Sequence, residues 1–554
     1  MAVNKNRIFT ISLLLILLAA GTLCGYTISK YKGSAAPAQN VNEPRSSLQG
    51  ERNRPSDIPE QTPGARSQVD NLNQTPGGQA ADPSQRQRNR QPDMSNQPGG
   101  QLPGQDAAQS APSGGRGFGG ISSAGTKYAP QLLSYTAVFL IVFIAAYFLL
   151  IRKKIKIDPG HEKILMLTLL GVGLLLRLAA ATLMDGHNDI NIFKGWASSA
   201  ANNFFQFYSG SRTSDYPPLY IYILYLIGKI AAIPAVNSYY TILLKLPSIA
   251  ADIASSYLIY RLAKKYLSLE ISVLLSAFYI FNPAVFINST FWGQVDSFFT
   301  LIIIAAVYLL SEKRIGLSSV LFTAAVLMKP QGIIFLPVLF FELVRGKSFK
   351  SFLKVTAAAL STAAIIILPF SYNKGVLWIY NLFSKTTAEY PYAAVNAFNF
   401  FSLLGKNYVK DTTTQFLFSY HSWGMIFIVL TTLLAWFIYI KGNSRVFASA
   451  AALLLITGVF NLSTRMHERY LFPAVALSIL AFIYLKDKRL LLLSAGFSAT
   501  VYLNTHFVLF KTGMNAVPYS PVLIITSLLN VLLLFYLGKI LFDIAVKKRT
   551  QTCG

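Results

Sequence analysis

The chain alternates runs of about twenty apolar residues with short polar loops, the pattern of helices that cross a bilayer core about 30 Å thick. The first run lies near 7–28. Thirteen more follow near 131–151, 163–184, 239–262, 270–288, 293–310, 315–328, 332–345, 350–370, 422–441, 445–461, 470–486, 489–506 and 519–545. The prediction is an all-α polytopic membrane protein with about 14 transmembrane helices. The 315–328 and 332–345 segments are short and meet at Lys329-Pro330, where proline removes a backbone donor, so broken helices are expected there. No repeat period is evident.

The pattern lapses between the first run and the second. Residues 30–127 are rich in Gln, Pro, Asn, Gly, Ser and Arg and nearly devoid of aliphatic clusters. Such a stretch buries too little apolar surface to offset its ordering entropy, so a long disordered extracytoplasmic linker is expected. Its charges nearly balance, which favours a tether over a polyanion-binding arm. The expected organisation is a membrane anchor at 1–29, this linker at 30–127 and a multi-spanning domain at 128–554. Leu23, in the Gly21-Thr22-Leu23 sequence before Cys24, is too bulky for leader processing, so the anchor is expected to stay uncleaved.

Composition agrees with a membrane protein: 53% of the 554 residues are hydrophobic and 13% charged, with mean hydropathy +0.44. A formal net charge of +26 raises the question of nucleic acid. The cations, however, cluster in short loops beside apolar runs, so the charge reads as a topology signal and no nucleic-acid partner is expected. With the N-terminus inside, seven basic segments fall on the cytoplasmic side: 152–158, 260–266, 311–314, 345–350, 441–445, 486–489 and 546–550. Agreement among them requires the apolar stretch Tyr216–Ala235 to lie on the surface or re-enter. The expected location is a membrane, crossed many times, with both termini cytoplasmic. Two cysteines, Cys24 and Cys553, allow neither a disulfide framework nor a thiolate metal site, and the five histidines lack zinc-ligand spacing. No metal or other cofactor is expected, and no phosphate-binding GxxxxGK[ST] loop is present.

The same orientation sends the chemically interesting motifs to the outer face. They are Asp185-Gly-His-Asn-Asp189 with Phe193 and Trp196, Asp215-Tyr216-Pro-Pro-Leu219, Trp292-Gly-Gln294-Val-Asp296, Lys329-Pro-Gln331, Asn396-Ala-Phe-Asn399 and Arg465-Met-His467-Glu468-Arg469. Phe193 and Trp196, four and seven residues after Asp189, make one helical face apolar and leave the carboxylate at the membrane surface. A carboxylate there can take a proton from an attacking hydroxyl. Asp185 competes for that role, and a helix cap is the alternative reading of Asp189. Asp215 through Pro218 fixes an extended turn, which also suffices to cap the next helix. Arg465, His467 and Arg469 crowd a place the orientation rule disfavours, so an anion such as a phosphate is the natural partner. Glu468 can instead neutralise an arginine internally. Lys329 adds a cationic contact or snorkels to the surface.

From about 164 to 510 the chain resembles the GT-C superfamily of polyprenyl-phosphate-sugar glycosyltransferases, particularly bacterial relatives of the second GPI-anchor mannosyltransferase. The resemblance rests on Asp189 with Trp196 seven residues later, on Asp215-Tyr-Pro-Pro-Leu219, and on His467-Glu468-Arg469, which looks like a late HEK-type triplet. It implies Asp189 as catalytic base, with Asp185 the competing candidate, and His467 and Arg469 as contacts to the donor phosphate. Trp196, Asp215, Tyr216, Gln294, Asp296, Lys329, Gln331, Asn396, Arg465 and Glu468 are the remaining expected substrate contacts. The implied activity is inverting transfer of a sugar, a hexose such as mannose, from a polyprenyl-phosphate donor to a glycan, lipid or protein acceptor. Arginine at the third triplet position departs from the pattern, and the long tether with its two extra spans lies outside it. A polytopic transporter or lipid flippase is the alternative, with Arg177 and Asp252 as its candidate charges.

Overall fold

A computed structural model describes residues 2–33, 126–185, 188–209, 214–512 and 515–552. The chain divides into two units, 1–38 with 118–554, and 39–117. The second unit, and the expected linker apart from its ends, lie outside the described residues, as do His187 and Cys553.

The described residues are helical almost throughout. In chain order the helices are α1 (Ala2–Lys30), α2 (Ala129–Tyr147), α3 (Glu162–Ala181), α4 (Asn188–Asn202), α5 (Pro218–Ala231), α6 (Tyr240–Tyr266), α7 (Leu269–Ile280), α8 (Pro283–Phe286), α9 (Asp296–Ser311), α10 (Ile315–Met328), α11 (Leu336–Gly346), α12 (Phe349–Ile367), α13 (Trp378–Ala388), α14 (Phe400–Leu403), α15 (Tyr420–Gly442), α16 (Ala448–Leu462), α17 (Pro473–Leu485), α18 (Arg489–His506) and α19 (Pro521–Thr552). One small antiparallel hairpin, β1 (Thr414–Gln415) with β2 (Phe418–Ser419), precedes α15.

All fourteen apolar segments contain helix, but they are not equivalent. Eight helices among the described residues are long and apolar enough to cross a membrane, and a ninth span results if α7 and the 283–292 helix, bent by 41°, count as one. The other five are α9, α10, α11, α17 and α18. The 13 residues of α17 rise only about 20 Å, less than a bilayer core. That helix is apolar all round because protein covers it all round: every residue from Pro473 to Leu485 is buried. A helix buried in protein and one buried in lipid carry the same hydropathy, so an apolar run alone does not tell the two apart. In α18 the inward face carries Ser494, Ser498, Thr500, Asn504 and Thr505, lowering its apolarity below that of a lipid-facing span.

Two stretches singled out in the sequence depart from a long straight helix. Lys329 is extended between α10 and the 3-10 turn Pro330–Phe335, so the chain breaks at Lys329-Pro330. The stretch from 216 to 235 contains only the 14-residue α5, about 21 Å long. With α16 and α17 at the centre of the core, the loop between them, 463–472, is held against buried helix ends.

Candidate functional site

Three chain segments are brought to one place by this core: the first turn of α4, the loop 292–296 and the loop 463–472. Asp189 lies in the first turn of α4, where unpaired backbone N–H groups favour a carboxylate. Its Oδ2 accepts from Trp292 Nε1 at 2.9 Å and from the Gln294 amide. Both donors face the same carboxylate because Gly293 between them adopts φ +70°. A Cβ there would meet Ile190 Cδ1 at 2.8 Å and Lys245 Cγ at 3.1 Å, side-chain atoms that would have to shift, and the left-handed backbone favours glycine in any case.

Trp292 connects this carboxylate to the second loop. The Arg469 guanidinium carbon stands 5.0 Å from the indole centroid, in cation–π geometry. Arg469 also pairs with Glu468 through Nη1 and lies 3.6 Å from Asp296 Oδ2 through Nε, which makes no hydrogen bond. Asp296 begins α9, accepts from Asn288 Nδ2 at 3.1 Å and forms an ion pair with Lys329. Lys329 in turn lies 5.5 Å from the Tyr470 ring centroid. Asp189, Asp296, Glu468, Lys329 and Arg469 therefore form one charged cluster around Trp292, with Asp296, Lys329 and Glu468 buried.

The electrostatics follow from that crowding. Burial pushes the His467 imidazole down to about 3, and the neighbouring Arg469 and Lys329 reinforce the shift. At neutral pH it is uncharged. The cationic role expected of three residues in this loop therefore falls to Arg469, with Lys329 as its neighbour. Burial raises the Glu468 carboxyl, with Asp189 adding to the shift against the opposing pull of Arg469. For Arg469 burial works against the charged form, but the combined attraction of Glu468, Asp189 and Asp296 outweighs it and holds the guanidinium firmly protonated. The imidazole packs edge-on against Tyr390, with ring centroids 4.7 Å apart.

The other expected residues sit around this cluster at varying depth. Trp196 and Tyr216 pack against each other with centroids 5.4 Å apart and both meet Phe193, so the DYPPL turn is fixed to α4 by aromatic contact. The Asp215 carbonyl accepts from Thr386 Oγ1 at 2.8 Å, tying the same turn to α13. Gln331 lies in the 3-10 turn after Lys329, with a buried Nε2 that makes no hydrogen bond to protein. Asn396 is a brace: its side chain joins Asn407, Asn515 and Val517, and its backbone pairs with His467. Arg465 turns away from the cluster, with Nε on Asp411 at 2.7 Å and Nη1 on the Thr387 carbonyl at 2.9 Å. Arg465 is thus neutralised by Asp411, while Glu468 neutralises Arg469, the internal pairing weighed for it from sequence.

The two competing carboxylates have different surroundings. Asp185 accepts from Tyr31 at the end of α1 and from Thr241 in α6, and pairs with Lys194 of α4 at 3.4 Å. Burial opposes ionisation, yet Thr241, Lys194 and Tyr31 together keep the carboxyl below its usual range. Asp185 is thus bound to structural partners, whereas Asp189 belongs to the cluster around Trp292.

Sequence reasoning overlooked Asn288, Tyr390, Tyr470 and Tyr31 as neighbours of the site. Asn288 was detectable as a polar residue in the apolar run before Trp292, whereas the tyrosines carry no motif. Among the described residues no group of three or more acidic, histidine or cysteine side chains is arranged to hold a metal ion. In comparisons with known proteins, no family model and no curated protein matches this chain.

Proposed function

We propose that the chain is a GT-C-type glycosyltransferase that moves a sugar, a hexose such as mannose, from a polyprenyl-phosphate donor to an acceptor on the outer face of a bacterial plasma membrane. Both termini then lie in the cytoplasm, and the 292–296 and 463–472 loops face outward. The observation that carries this reading is that Trp292 joins Asp189, held by Trp292 and Gln294, to the Arg469–Lys329 side of one charged cluster.

Chemically, a glycosyl transfer from a lipid phosphate needs a proton acceptor on one side of the anomeric carbon and cationic support on the other. The acceptor hydroxyl oxygen forms a bond to that carbon as its bond to the phosphate oxygen breaks. Asp189 takes the hydroxyl proton, and polyprenyl phosphate leaves with the bonding pair. Because that leaving group is already a stable anion, one carboxylate suffices where a glycosidase uses two. Arg469 offers a planar fork suited to phosphate oxygens, and Lys329 a point charge beside it. Both are partly neutralised by Asp296 and Glu468, so donor binding exchanges part of that internal pairing for the phosphate.

The experiment is transfer by purified protein in lipid nanodiscs, with a panel of polyprenyl-phosphate sugars as donors and Asp189→Asn as control. Turnover with one donor, reduced by about two to four orders of magnitude in a folded Asp189→Asn variant, supports the reading. No turnover with any donor, alongside lipid translocation that survives Asp189→Asn, would favour a flippase. The observation behind that second reading is the fully buried Arg177–Asp252 pair, 2.9 Å apart, in which Arg177 Nη2 and Asp252 Oδ1 make no hydrogen bond to protein.

A further inference from the structure

The N-terminal helix lies outside the region that carries the family resemblance, yet its end reaches the neighbourhood of the candidate site. After α1 stops at Lys30, the ring of Tyr31 stacks on Tyr239 with centroids 6.1 Å apart. Its hydroxyl donates to Asp185 Oδ2 at 2.8 Å, across 154 residues of sequence. Two residues on, Gly33 has φ +61°, and a Cβ at that position would lie 1.8 Å from the Ser238 carbonyl oxygen. Ring stacking on Tyr239 and close backbone approach to Ser238 therefore dock residues 31–33 at the start of α6, and the hydroxyl ties them to Asp185.

Asp185 is the hub of that contact. Besides Tyr31 it receives the Thr241 hydroxyl from α6 and the Lys194 ammonium from α4. Lys194 is itself buried, and its backbone carbonyl accepts from Tyr240 at 3.0 Å. Lys194 lies five residues beyond Asp189 on α4. Three elements, α1, α4 and α6, are thus pinned through one carboxylate at the helix that carries Asp189.

We propose that Tyr31 is a positioning residue: the end of α1 acts as a strut that, through Asp185 and Lys194, fixes the first turns of α4 and so the direction in which Asp189 presents its carboxylate. This rests on the reading of Asp189 as the base, but the strut itself is a property of the fold. The Tyr31 side chain contacts Asp185 and Tyr239, not the residues around Trp292. Its removal is expected to affect turnover more than binding, because a misplaced base costs the reaction step while the phosphate contacts of Arg469 and Lys329 stay in place. A hydrogen bond to an ionised carboxylate in a partly buried site is strong enough for its loss to be measurable.

The test uses full-length protein in nanodiscs with two readouts, amide hydrogen exchange over 188–200 and donor kinetics. Tyr31→Phe deletes the hydroxyl alone. Gly33→Ala keeps it but forces the docked segment off Ser238. Both variants are expected to exchange the α4 amides several-fold faster than wild type and to lower kcat about three- to tenfold, with KM for the donor within about twofold. In an Asp185→Ala background, Tyr31→Phe is expected to add little, since truncating Asp185 already removes the carboxylate to which the hydroxyl donates. Unchanged exchange in Tyr31→Phe and Gly33→Ala overturns the strut, as do additive kinetic effects with Asp185→Ala. Absence of transfer by wild type with every donor removes the enzyme reading instead, and the exchange readout still decides the strut.

Discussion

Trp292 Nε1 donates to Asp189 Oδ2 at 2.9 Å, and the same indole lies beneath the Arg469 guanidinium at 5.0 Å from its centroid. One side chain thus separates a carboxylate from a cation while holding both. Direct collapse of Asp189 onto Arg469 would consume the two charges in an ion pair and leave neither for a substrate. The ring prevents this by presenting a donor edge to one and an electron-rich face to the other.

Trp292→Phe keeps the face and deletes the donor, so it is expected to lower kcat/KM for transfer about tenfold, the scale of one hydrogen bond to a charged group. Trp292→Leu removes the face as well and is expected to cost several-fold more. Steady-state kinetics on folded variants check this, and a Phe variant equal to wild type would show that the indole N–H does not orient Asp189.

Orientation is testable by single-cysteine labelling, with Cys24 and Cys553 first replaced by serine. Lys347, an exposed residue at the end of α11, is expected to face the cytoplasm. Val376, 96% exposed in the segment before α13, is expected to face out. An impermeant maleimide on intact cells should therefore label Val376→Cys and spare Lys347→Cys. The reverse pattern would invert the proposed topology and place the candidate site in the cytoplasm.

The buried pair Arg177–Asp252 separates structural from transport roles. Asp252→Ala alone strands a guanidinium in the core and is expected to destabilise by about 3 to 5 kcal/mol, whereas Arg177→Met with Asp252→Leu removes both charges and is expected to be near neutral. Thermal unfolding in detergent measures both. A double variant that folds and still transfers sugar assigns the pair to the scaffold, while one that folds and is inert would bring it into the mechanism.

His467 makes stability depend on pH. Its folded value of about 3 lies below the ordinary 6.5, so between these values the unfolded chain binds the proton that the folded chain refuses. Stability from this residue is full above about pH 6.5 and falls as the pH drops through that window, by up to about 2 kcal/mol at pH 5. His467→Gln is expected to flatten this part of the dependence, measured as unfolding temperature at pH 7.5 and pH 5. An identical loss in both proteins would place the acid sensitivity elsewhere.

How far the sequence reaches is visible in particular residues. The helices follow from apolar runs, and the break at Lys329-Pro330 follows from proline, because both effects are local. A shared site for Asp189 and Arg469 is what the family resemblance implies, whereas nothing in the Trp292-Gly-Gln294-Val-Asp296 motif marks Trp292 as the link between them. Arg465 and Arg469 look equivalent in sequence. Only the fold shows one bound to Asp411 from the 404–419 loop and the other above Trp292. The apolar run around 470–486 reads as a span, and only the fold shows that its helix, α17, has 13 residues with protein on every side.

Arg469 carries the last prediction. It is surrounded by Glu468, Asp296 and Trp292, and its Nε, buried 3.6 Å from Asp296, makes no hydrogen bond, so the side chain is held in place without every donor being used. A guanidinium pre-positioned in this way loses little further freedom when it takes up a phosphate oxygen. As the bond between sugar and phosphate breaks, negative charge grows on the phosphate, and a contact to that oxygen strengthens from ground state to transition state. Arg469→Ala is therefore expected to lower kcat/KM for a polyprenyl-phosphate sugar at least about tenfold, or roughly 1.4 kcal/mol of transition-state stabilisation, with kcat carrying part of the loss. Arg469→Lys restores the charge without the planar fork and is expected to recover only a fraction. Because removing the guanidinium also leaves Glu468 buried without its partner, Arg469→Ala with Glu468→Gln serves as the control for folding. If that double variant is well folded and transfers sugar as fast as wild type, Arg469 has no part in the reaction.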